Sequence, residues 1–240
     1  MSGVYRRHTI REKRKPLILA PDHRAVIKGE PLFANEVYSA RDVDRCLIPA
    51  ENNSKIGSHW TKVWRGVPIY TLTLAERTTC VRSCPQWRSC MGNHMPRAWR
   101  IAYDDALLPK LEEEIWNLAA TYDAFSVRLH TLGDFADVAY TQFWLDQVRK
   151  TQALRCFGFT ANRRDSEIGA LIEGAGWDRF RIRFSNQTGS RSARVMIDPP
   201  RGRHLDGVVT CAEVSGDAKS CGDCGWCLHE SVKTIVLKLH

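Results

Sequence analysis

Hydrophobic residues in the middle of the chain recur at helical spacing in some stretches and at strand spacing in others. In DDALLPKLEEEIWNLAATY (104–122), Leu111, Ile115 and Leu118 lie one turn apart, which predicts an amphipathic helix. Two further helices are predicted at DVAYTQFWLDQVRK (137–150) and DSEIGALIEGAG (165–176). Strands are predicted at GVPIYTLTL (66–74), FSVRLHT (125–131), LRCFGFT (154–160), RFRIRFS (179–185), ARVMI (193–197) and GVVTC (207–211).

Strands that alternate with helices of this length indicate parallel βαβ units and an α/β fold. A parallel sheet covered by helices on both faces shows continuous apolar runs, whereas these strands alternate apolar with polar or small residues. We therefore expect helices on one face and a cavity on the other, as in a partial β/α (TIM-like) barrel with cysteine-rich metal-binding segments. Residues 1–35 are expected to form a basic tail and an irregular lead-in, and residues 36–240 a single β/α domain.

Residues at the C-terminal ends of the predicted strands form the candidate site, because β/α barrels place their sites there. His130 and Asp134 are the candidate catalytic residues, and a purely structural histidine is the alternative for His130. The candidates for binding a cofactor or substrate are Arg128, Thr160, Asn162, Arg181, Arg183, Ser185 and Asn186. Arginines that face one cavity are costly without an anion, so we expect a bound carboxylate or phosphate there. The alternative is ion pairing on a solvent-facing sheet.

The composition is that of an ordinary globular protein, with 43% hydrophobic and 26% charged residues among 240. Its net charge of +8 is uneven, because residues 1–15 carry +5 and residues 179–203 carry +6. Contact with nucleic acid through these two segments is one interpretation, and a solvated chain terminus is the other. No transmembrane run or secretory signal is recognisable, so we expect no membrane contact and a cytoplasmic, reducing location.

Four of the nine cysteines lie close together near the end of the chain, with the spacing C-x9-C-x2-C-x2-C. This C-terminal cysteine group consists of Cys211, Cys221, Cys224 and Cys227. Two consecutive gaps of two residues are typical of iron–sulfur ligation, which favours a [4Fe–4S] cluster. Zinc is the alternative, although a single zinc ion is usually held by two separated C-x2-C pairs. Disulfides are less expected in a reducing compartment.

Three more cysteines, Cys80, Cys84 and Cys90, form a cysteine triad with the spacing C-x3-C-x5-C. Three thiolates suit a second [4Fe–4S] cluster with one iron open to a ligand. His94 extends the pattern to C-x3-C-x5-C-x3-H, which is similar to a CCCH zinc finger, and both interpretations stay open. Cys46 and Cys156 lie outside both groups, and Cys156 is expected to be a small packing residue in its strand.

Several short motifs together resemble the bacteriophage gene product 88 family over about residues 50–240. They are NSKIG (53–57), RLHTLGDF (128–135), FGFTANR (157–163) and CGDCGWC (221–227). The resemblance implies a phage-encoded, cysteine-rich protein made in a bacterial cytoplasm. Such proteins are distantly similar to radical S-adenosylmethionine (SAM) enzymes, which implies a cluster on the cysteine triad that binds SAM through its open iron. The x3-then-x5 spacing here differs from the usual x3-then-x2.

The sequence thus leads to an iron–sulfur protein with a radical-SAM-like barrel, which is either an enzyme that acts on an anionic or nucleic-acid substrate or a former enzyme. One or two [4Fe–4S] clusters and SAM are the expected cofactors. The alternative is a non-catalytic protein, stabilised by zinc or by iron–sulfur, that binds nucleic acid through its basic segments.

Overall fold

The computed structural model describes residues 16–200, 202 and 205–239. The predicted basic tail 1–15, together with Arg201 and Arg203, lies outside the described residues. The strands are β1 Val37–Tyr38, β2 Ile48–Pro49, β3 Ile69–Thr71, β4 Arg100–Ile101, β5 Phe125–Leu129, β6 Leu154–Thr160, β7 Phe180–Ser185, β8 Ser192–Met196, β9 Val208–Thr210 and β10 Thr234–Lys238. The α-helices are α1 Arg24–Lys28, α2 Leu107–Thr121, α3 Val138–Lys150, α4 Glu167–Gly174, α5 Ala212–Ser215 and α6 Cys221–Cys224.

The predicted helices and strands of the central region are all present. Helix α3 begins after Asp137, whose side chain accepts a hydrogen bond from the Tyr140 amide, and α4 begins after Ser166, which caps the Gly169 amide. Strand β6 covers the predicted range, β3, β5, β7 and β9 lie within theirs, and β8 begins one residue before its predicted range. Strand β10 was not predicted from the sequence.

Eight strands form one sheet in the order β2-β3-β5-β6-β7-β8-β10-β9, and every neighbouring pair is parallel except β2 with β3. Strands β3, β5, β6, β7 and β8 follow each other in chain order. Because parallel crossovers are right-handed, this order places α2, α3 and α4 on the same face. The α/β class is therefore confirmed, but the sheet ends at β2 and β9 and does not close into a barrel.

The helix-covered face holds the main hydrophobic core. Phe125, Val127 and Leu129 of β5 pack there with Trp144 of α3, and Cys156 lies in the same core, fully buried, as expected for a packing residue.

The register decides which residues share the opposite face. Val127 is paired with Cys156, and Arg128 with Phe157, so Phe157 and Phe159 lie on the arginine-bearing face. In β6 it is therefore the aromatic residues that share a face with the arginines, and the expected separation of an apolar face from a polar one does not hold for this strand.

A second layer of chain covers the arginine-bearing face. Ile56, Trp60, Val67 and Leu228 pack with Phe157 in a separate hydrophobic cluster. The indole of Trp60 also donates a hydrogen bond of 2.9 Å to the hydroxyl of Ser126 in β5. The face expected to line a cavity is therefore covered by residues 50–67 and by the C-terminal segment.

A close approach between β5 and β6 requires glycine at position 158. A Cβ atom there would lie 1.4 Å from the Leu129 carbonyl oxygen, whereas one at Gly174 in α4 would meet nothing within 4 Å. We expect Gly158→Ala to lower the free energy of unfolding by about 3 kcal/mol. Gly174→Ala should leave it unchanged or raise it by up to about 1 kcal/mol. Chemical denaturation measures both, and equal effects would contradict this packing.

Candidate metal centres and the strand-end polar cluster

The C-terminal cysteine group is assembled by a short helical turn and the end of β9. Cys211 follows β9 directly, and α6 begins at Cys221. Gly225 ends α6 in the left-handed conformation (φ 68°), and its amide donates to the Cys221 carbonyl oxygen, which turns the chain toward Cys227.

The NSKIG motif holds this turn from the other side. The amides of Cys221 and Gly222 donate to the carbonyl oxygens of Lys55 (2.8 Å) and Ile56 (2.9 Å). The backbones approach so closely that a Cβ at Gly222 would lie 2.3 Å from the His59 carbonyl oxygen. Two of the motifs that carry the family resemblance therefore lie against each other.

The four thiols of the C-terminal cysteine group interact electrostatically, and all nine cysteines of the chain are free. Burial raises the pKa of Cys221 to about 11, and the neighbouring Cys211 thiol adds to that rise. Burial raises the pKa of Cys227 further, with contributions from Cys211, Cys221 and Cys224. Cys211 therefore lies near enough to the other three thiols to influence their pKa values.

The cysteine triad lies on a loop that is fixed mainly by arginines. The Arg77 guanidinium donates to the Trp87 carbonyl oxygen (3.0 Å) and to the side-chain oxygen of Asn93 (2.6 Å). Below the loop, Arg100 and Glu76 form a fully buried ion pair of 2.6 Å. Arg77, Arg100 and Glu76 were not predicted from the sequence, because a buried arginine or glutamate has no local signature in a single sequence.

The three thiols of the cysteine triad are also neighbours. Burial raises the pKa of Cys80 well above its ordinary value, with contributions from Asp134, Cys90 and Cys84. Burial likewise raises the pKa of Cys84 to about 11, again with Asp134 contributing. The triad thus lies beside the chain that follows β5.

Within the described part of the chain, no set of three or more His, Cys, Asp or Glu side chains stands in the geometry of a bound metal ion. The donor chemistry nevertheless fits one, because thiols are the ligands of iron–sulfur clusters and of structural zinc. His94, the fourth ligand of the zinc-finger interpretation, accepts a hydrogen bond at Nε2 from the Leu17 amide (2.9 Å). One of its two ring nitrogens is therefore engaged elsewhere.

Asp134, Thr160 and Asn162 form a strand-end polar cluster, as predicted from their positions after β5 and β6. The Asp134 carboxylate accepts hydrogen bonds from the amides of Ala161 (2.7 Å) and Phe135 (2.8 Å). The Asn162 side chain donates to Thr160 Oγ1 at 3.2 Å. Burial raises the pKa of Asp134 to about 6. The carboxylate therefore ties the two strand-end loops together next to the triad.

Ser185 and Asn186 do not join the strand-end polar cluster. Ser185 pairs with Ala193 in the sheet, and the Asn186 side chain accepts a hydrogen bond from the Val195 amide (3.0 Å). Gln187 does reach the cluster, since its side-chain nitrogen donates to the Asn162 carbonyl oxygen at 2.8 Å.

His130 is buried at the end of β5 and packs against Phe135 and Tyr140. Its Nε2 lies 2.9 Å from the Tyr140 hydroxyl, whereas Nδ1 has no hydrogen-bond partner among the described residues. Burial, with a contribution from Arg128, lowers the pKa of His130 to about 3. The imidazole is therefore neutral at physiological pH.

Arg181 and Arg183 do not line a cavity as expected. Arg183 is fully buried and donates to the carbonyl oxygens of Cys227 (2.7 Å), Val232 (2.9 Å) and His229 (3.0 Å). Arg181 donates to the Leu228 carbonyl oxygen at 2.7 Å. Both side chains hold the C-terminal segment on the sheet, and this corrects their interpretation as an anion-binding row.

Arg128 differs from these two arginines. Its guanidinium lies over the rings of Phe159 (4.7 Å) and Phe157 (5.6 Å), and no described residue is hydrogen-bonded to it. Burial lowers the pKa of Arg128, and the thiols of Cys221, Cys227 and Cys211 oppose that shift. Arg128 therefore lies near enough to the C-terminal cysteine group for its charge and those of the thiols to influence each other.

The arginines proposed to bind nucleic acid are largely engaged inside the protein. Besides Arg181 and Arg183, Arg179 donates to the Thr151 carbonyl oxygen (2.9 Å) and Arg191 to that of Ala175 (3.2 Å). Arg194 on β8 is the exposed arginine of the 179–203 segment within the described residues.

Replacing Arg183 tests its role in holding the C-terminal segment. Arg183→Met would remove the donor of the Cys227 and Val232 carbonyl oxygens, whereas the His229 carbonyl oxygen keeps the hydrogen bond from the Val232 amide (3.2 Å). We expect the free energy of unfolding to fall by about 3 kcal/mol. The control, Arg194→Met, changes an exposed arginine and should cost little. A wild-type denaturation midpoint in Arg183→Met would restore the cavity interpretation.

His130 should make stability depend on pH. Its pKa is about 3 when folded and 6.5 ordinarily, so the unfolded chain takes up the extra proton between these values. The free energy of unfolding therefore decreases as pH falls from 6.5 toward 3, by about 1.4 kcal/mol per unit at most. Asp134 acts oppositely between about 4 and 6, because its folded pKa is raised.

His130→Phe removes the histidine contribution and leaves that of Asp134. Its unfolding free energy should fall less steeply than that of the wild type between pH 6.5 and 4.5, as followed by urea denaturation. Parallel curves for the two proteins would contradict a neutral, buried His130.

Comparison with protein-family models, with curated proteins and with solved structures finds no match to this chain. None of the helices in the described residues is long and apolar enough to cross a membrane. Function must therefore be inferred from the site itself, because fold alone does not imply activity.

Proposed function

We propose that this chain is a metalloprotein with two cysteine-ligated centres, each holding a [4Fe–4S] cluster. The C-terminal cysteine group would supply four ligands and the cysteine triad three. The observation that carries the proposal is the position of Cys211. Nine residues lie between it and Cys221, yet its thiol interacts with those of Cys221, Cys224 and Cys227. Four mutually interacting thiols are the donor set of a closed thiolate centre.

The triad would form the open centre, because three thiols leave one iron of a cubane without a protein ligand. A cluster with an open iron supplies one-electron chemistry and a coordination position for a cofactor such as SAM or for a substrate. Arg77 holds the loop that carries these thiols. The Asp134 amide donates to Thr79 Oγ1 (3.4 Å), next to Cys80 in the chain, and Asp134 raises the pKa of Cys80 and Cys84.

The strand-end polar cluster is the proposed substrate region, because it lies at the C-terminal edge of the parallel strands and beside the triad. His130, which lies at the end of β5, and Asp134 of the cluster are the proposed catalytic residues. An anionic small molecule or a nucleic acid is the proposed substrate. The singly wound parallel sheet also supports the idea of a partial barrel of radical-SAM-like descent, in a phage protein related to the gene product 88 family.

The second candidate, a non-catalytic zinc protein that binds nucleic acid, rests on the same thiols and on the basic tail. Four thiols suit zinc as well as a cubane. The basic segment 179–203 supports this candidate less, because four of its arginines form hydrogen bonds within the protein: Arg179, Arg181, Arg183 and Arg191.

Metal analysis of anaerobically purified protein distinguishes the candidates. We expect a brown protein that contains iron and sulfide, and about half of the iron should be lost in Cys224→Ala and in Cys84→Ala. Cys224→Ala should also unfold at a lower temperature, since a structural metal contributes to folding free energy. Cys46→Ala, which removes a thiol outside both groups, is the control and should keep its full metal content. A colourless protein with zinc would favour the second candidate, and a metal-free protein would refute both.

A further inference from the structure

We propose that Arg128 and Arg183 are the counter-cations of the C-terminal centre, and that they adapt this site to a metal–thiolate complex with a net charge of −2. This inference rests on the proposed function, since it requires metal at the C-terminal cysteine group. It assigns a role in metal binding to two residues that are not ligands, and it specifies the net charge of the metal–thiolate complex that the site binds.

The sheet register places both guanidinium groups on the face that carries the C-terminal segment. Arg128 of β5 pairs with Phe157 of β6, and Phe159 of β6 pairs with Arg183 of β7. Arg183 donates to the backbone of a ligand residue, Cys227, at 2.7 Å. Phe157, which lies under the Arg128 guanidinium, packs in the same cluster as Leu228. The two cations therefore flank β6 beneath the ligand-bearing turn.

These two charges have no carboxylate partner in the described residues, where neither arginine forms an ion pair. Arginine stays protonated in proteins, so both sites carry a fixed positive charge. Arg183 is fully buried and Arg128 is half-buried, and a charge withdrawn from water without an opposite charge is unfavourable. The groups near them that can become anionic are the thiols, of Cys221, Cys227 and Cys211 for Arg128 and of Cys227 for Arg183.

Metal binding would supply the missing negative charge. Ligand cysteines are bound as thiolates, so four of them around Zn²⁺ or around a [4Fe–4S]²⁺ core form a complex with a net charge of −2. Arg128 and Arg183 balance that charge one for one. Of the other cations that act on these thiols, Lys55 is paired with Glu213 (3.5 Å) and Lys62 is exposed to solvent. The same argument holds for either metal, so the inference does not depend on which one is present.

Arg128 separates the effect of charge from that of packing. Arg183 also fastens the segment through three carbonyl oxygens, so its substitution would change both. Arg128 has no hydrogen bond to a described residue, and its neighbours are two aromatic rings. Removing the Arg128 charge should lower the stability of the metal-loaded protein, because the metal–thiolate complex loses a counter-charge. It should not lower the stability of the metal-free protein, in which that charge is uncompensated. A side chain that only packs would change both states in the same direction.

The experiment uses Arg128→Gln and Arg128→Lys in a protein that also carries Cys84→Ala. This substitution removes a ligand of the cysteine triad, so that the measured metal binding is that of the C-terminal cysteine group. Zn²⁺ is the probe, with its affinity measured by competition with a chelator. We expect Arg128→Gln to bind Zn²⁺ about 10- to 100-fold more weakly and Arg128→Lys to keep most of the affinity. Compared with the protein that keeps Arg128, Arg128→Gln should melt at a lower temperature when loaded with Zn²⁺. After removal of the metal, it should melt at the same temperature or a higher one.

Arg155→Gln is the matched control. Arg155 lies on β6 and points to the same side of the sheet as Arg128, but its charged neighbours are Arg179 and Asp178 and not the cysteines. It should leave Zn²⁺ affinity unchanged. Equal shifts of the loaded and stripped proteins in Arg128→Gln, or a loss of affinity in Arg128→Lys as large as in Arg128→Gln, would overturn the charge inference alone. A Cys84→Ala protein that binds neither Zn²⁺ nor iron would overturn the proposed C-terminal centre and the inference with it.

Discussion

The hydrogen bonds of one buried guanidinium connect the parallel sheet to the segment that carries the C-terminal cysteines. Arg183 donates to the carbonyl oxygens of Cys227, His229 and Val232, which lie on the turn leading from α6 to β10. Because the acceptors are backbone atoms, they fix the path of the chain itself. Strand β10 begins two residues after Val232, so these contacts also guide the chain into the sheet between β8 and β9. The position of the C-terminal cysteine group depends on this anchorage.

Strand β5 and the turn after it lie next to both candidate centres. Arg128, within the strand, lies near the C-terminal cysteine group, and Asp134, after the strand, influences the thiols of Cys80 and Cys84. About half of the chain separates the two cysteine groups in sequence. The proposed function follows from this arrangement, with an open centre beside the strand-end polar cluster and a closed centre on the arginine-bearing face.

Much of the secondary structure and part of the site could be predicted from the sequence. The helices and strands followed from hydrophobic periodicity, and the structure adds the caps of α3 and α4, Asp137 and Ser166. The meeting of Asp134 with Thr160 and Asn162 followed from their positions after adjacent parallel strands, whose C-terminal ends share one edge. The covered face was not predictable, because the segments that cover it come from residues far away in the chain.

The sequence by itself determined the α/β class and the two groups of cysteines, because hydrophobic periodicity and ligand spacing are local properties. Only the tertiary structure decided which side chains share a face of the sheet. The register between β5 and β6 determines which residues of β6 lie on the same face as Arg128. The tertiary structure also decided the roles of the arginines. The acceptors of Arg183 are backbone carbonyl oxygens 44 to 49 residues away, and a carbonyl group is common to every residue. The partner of a buried charge is therefore visible only once the chain has folded around it.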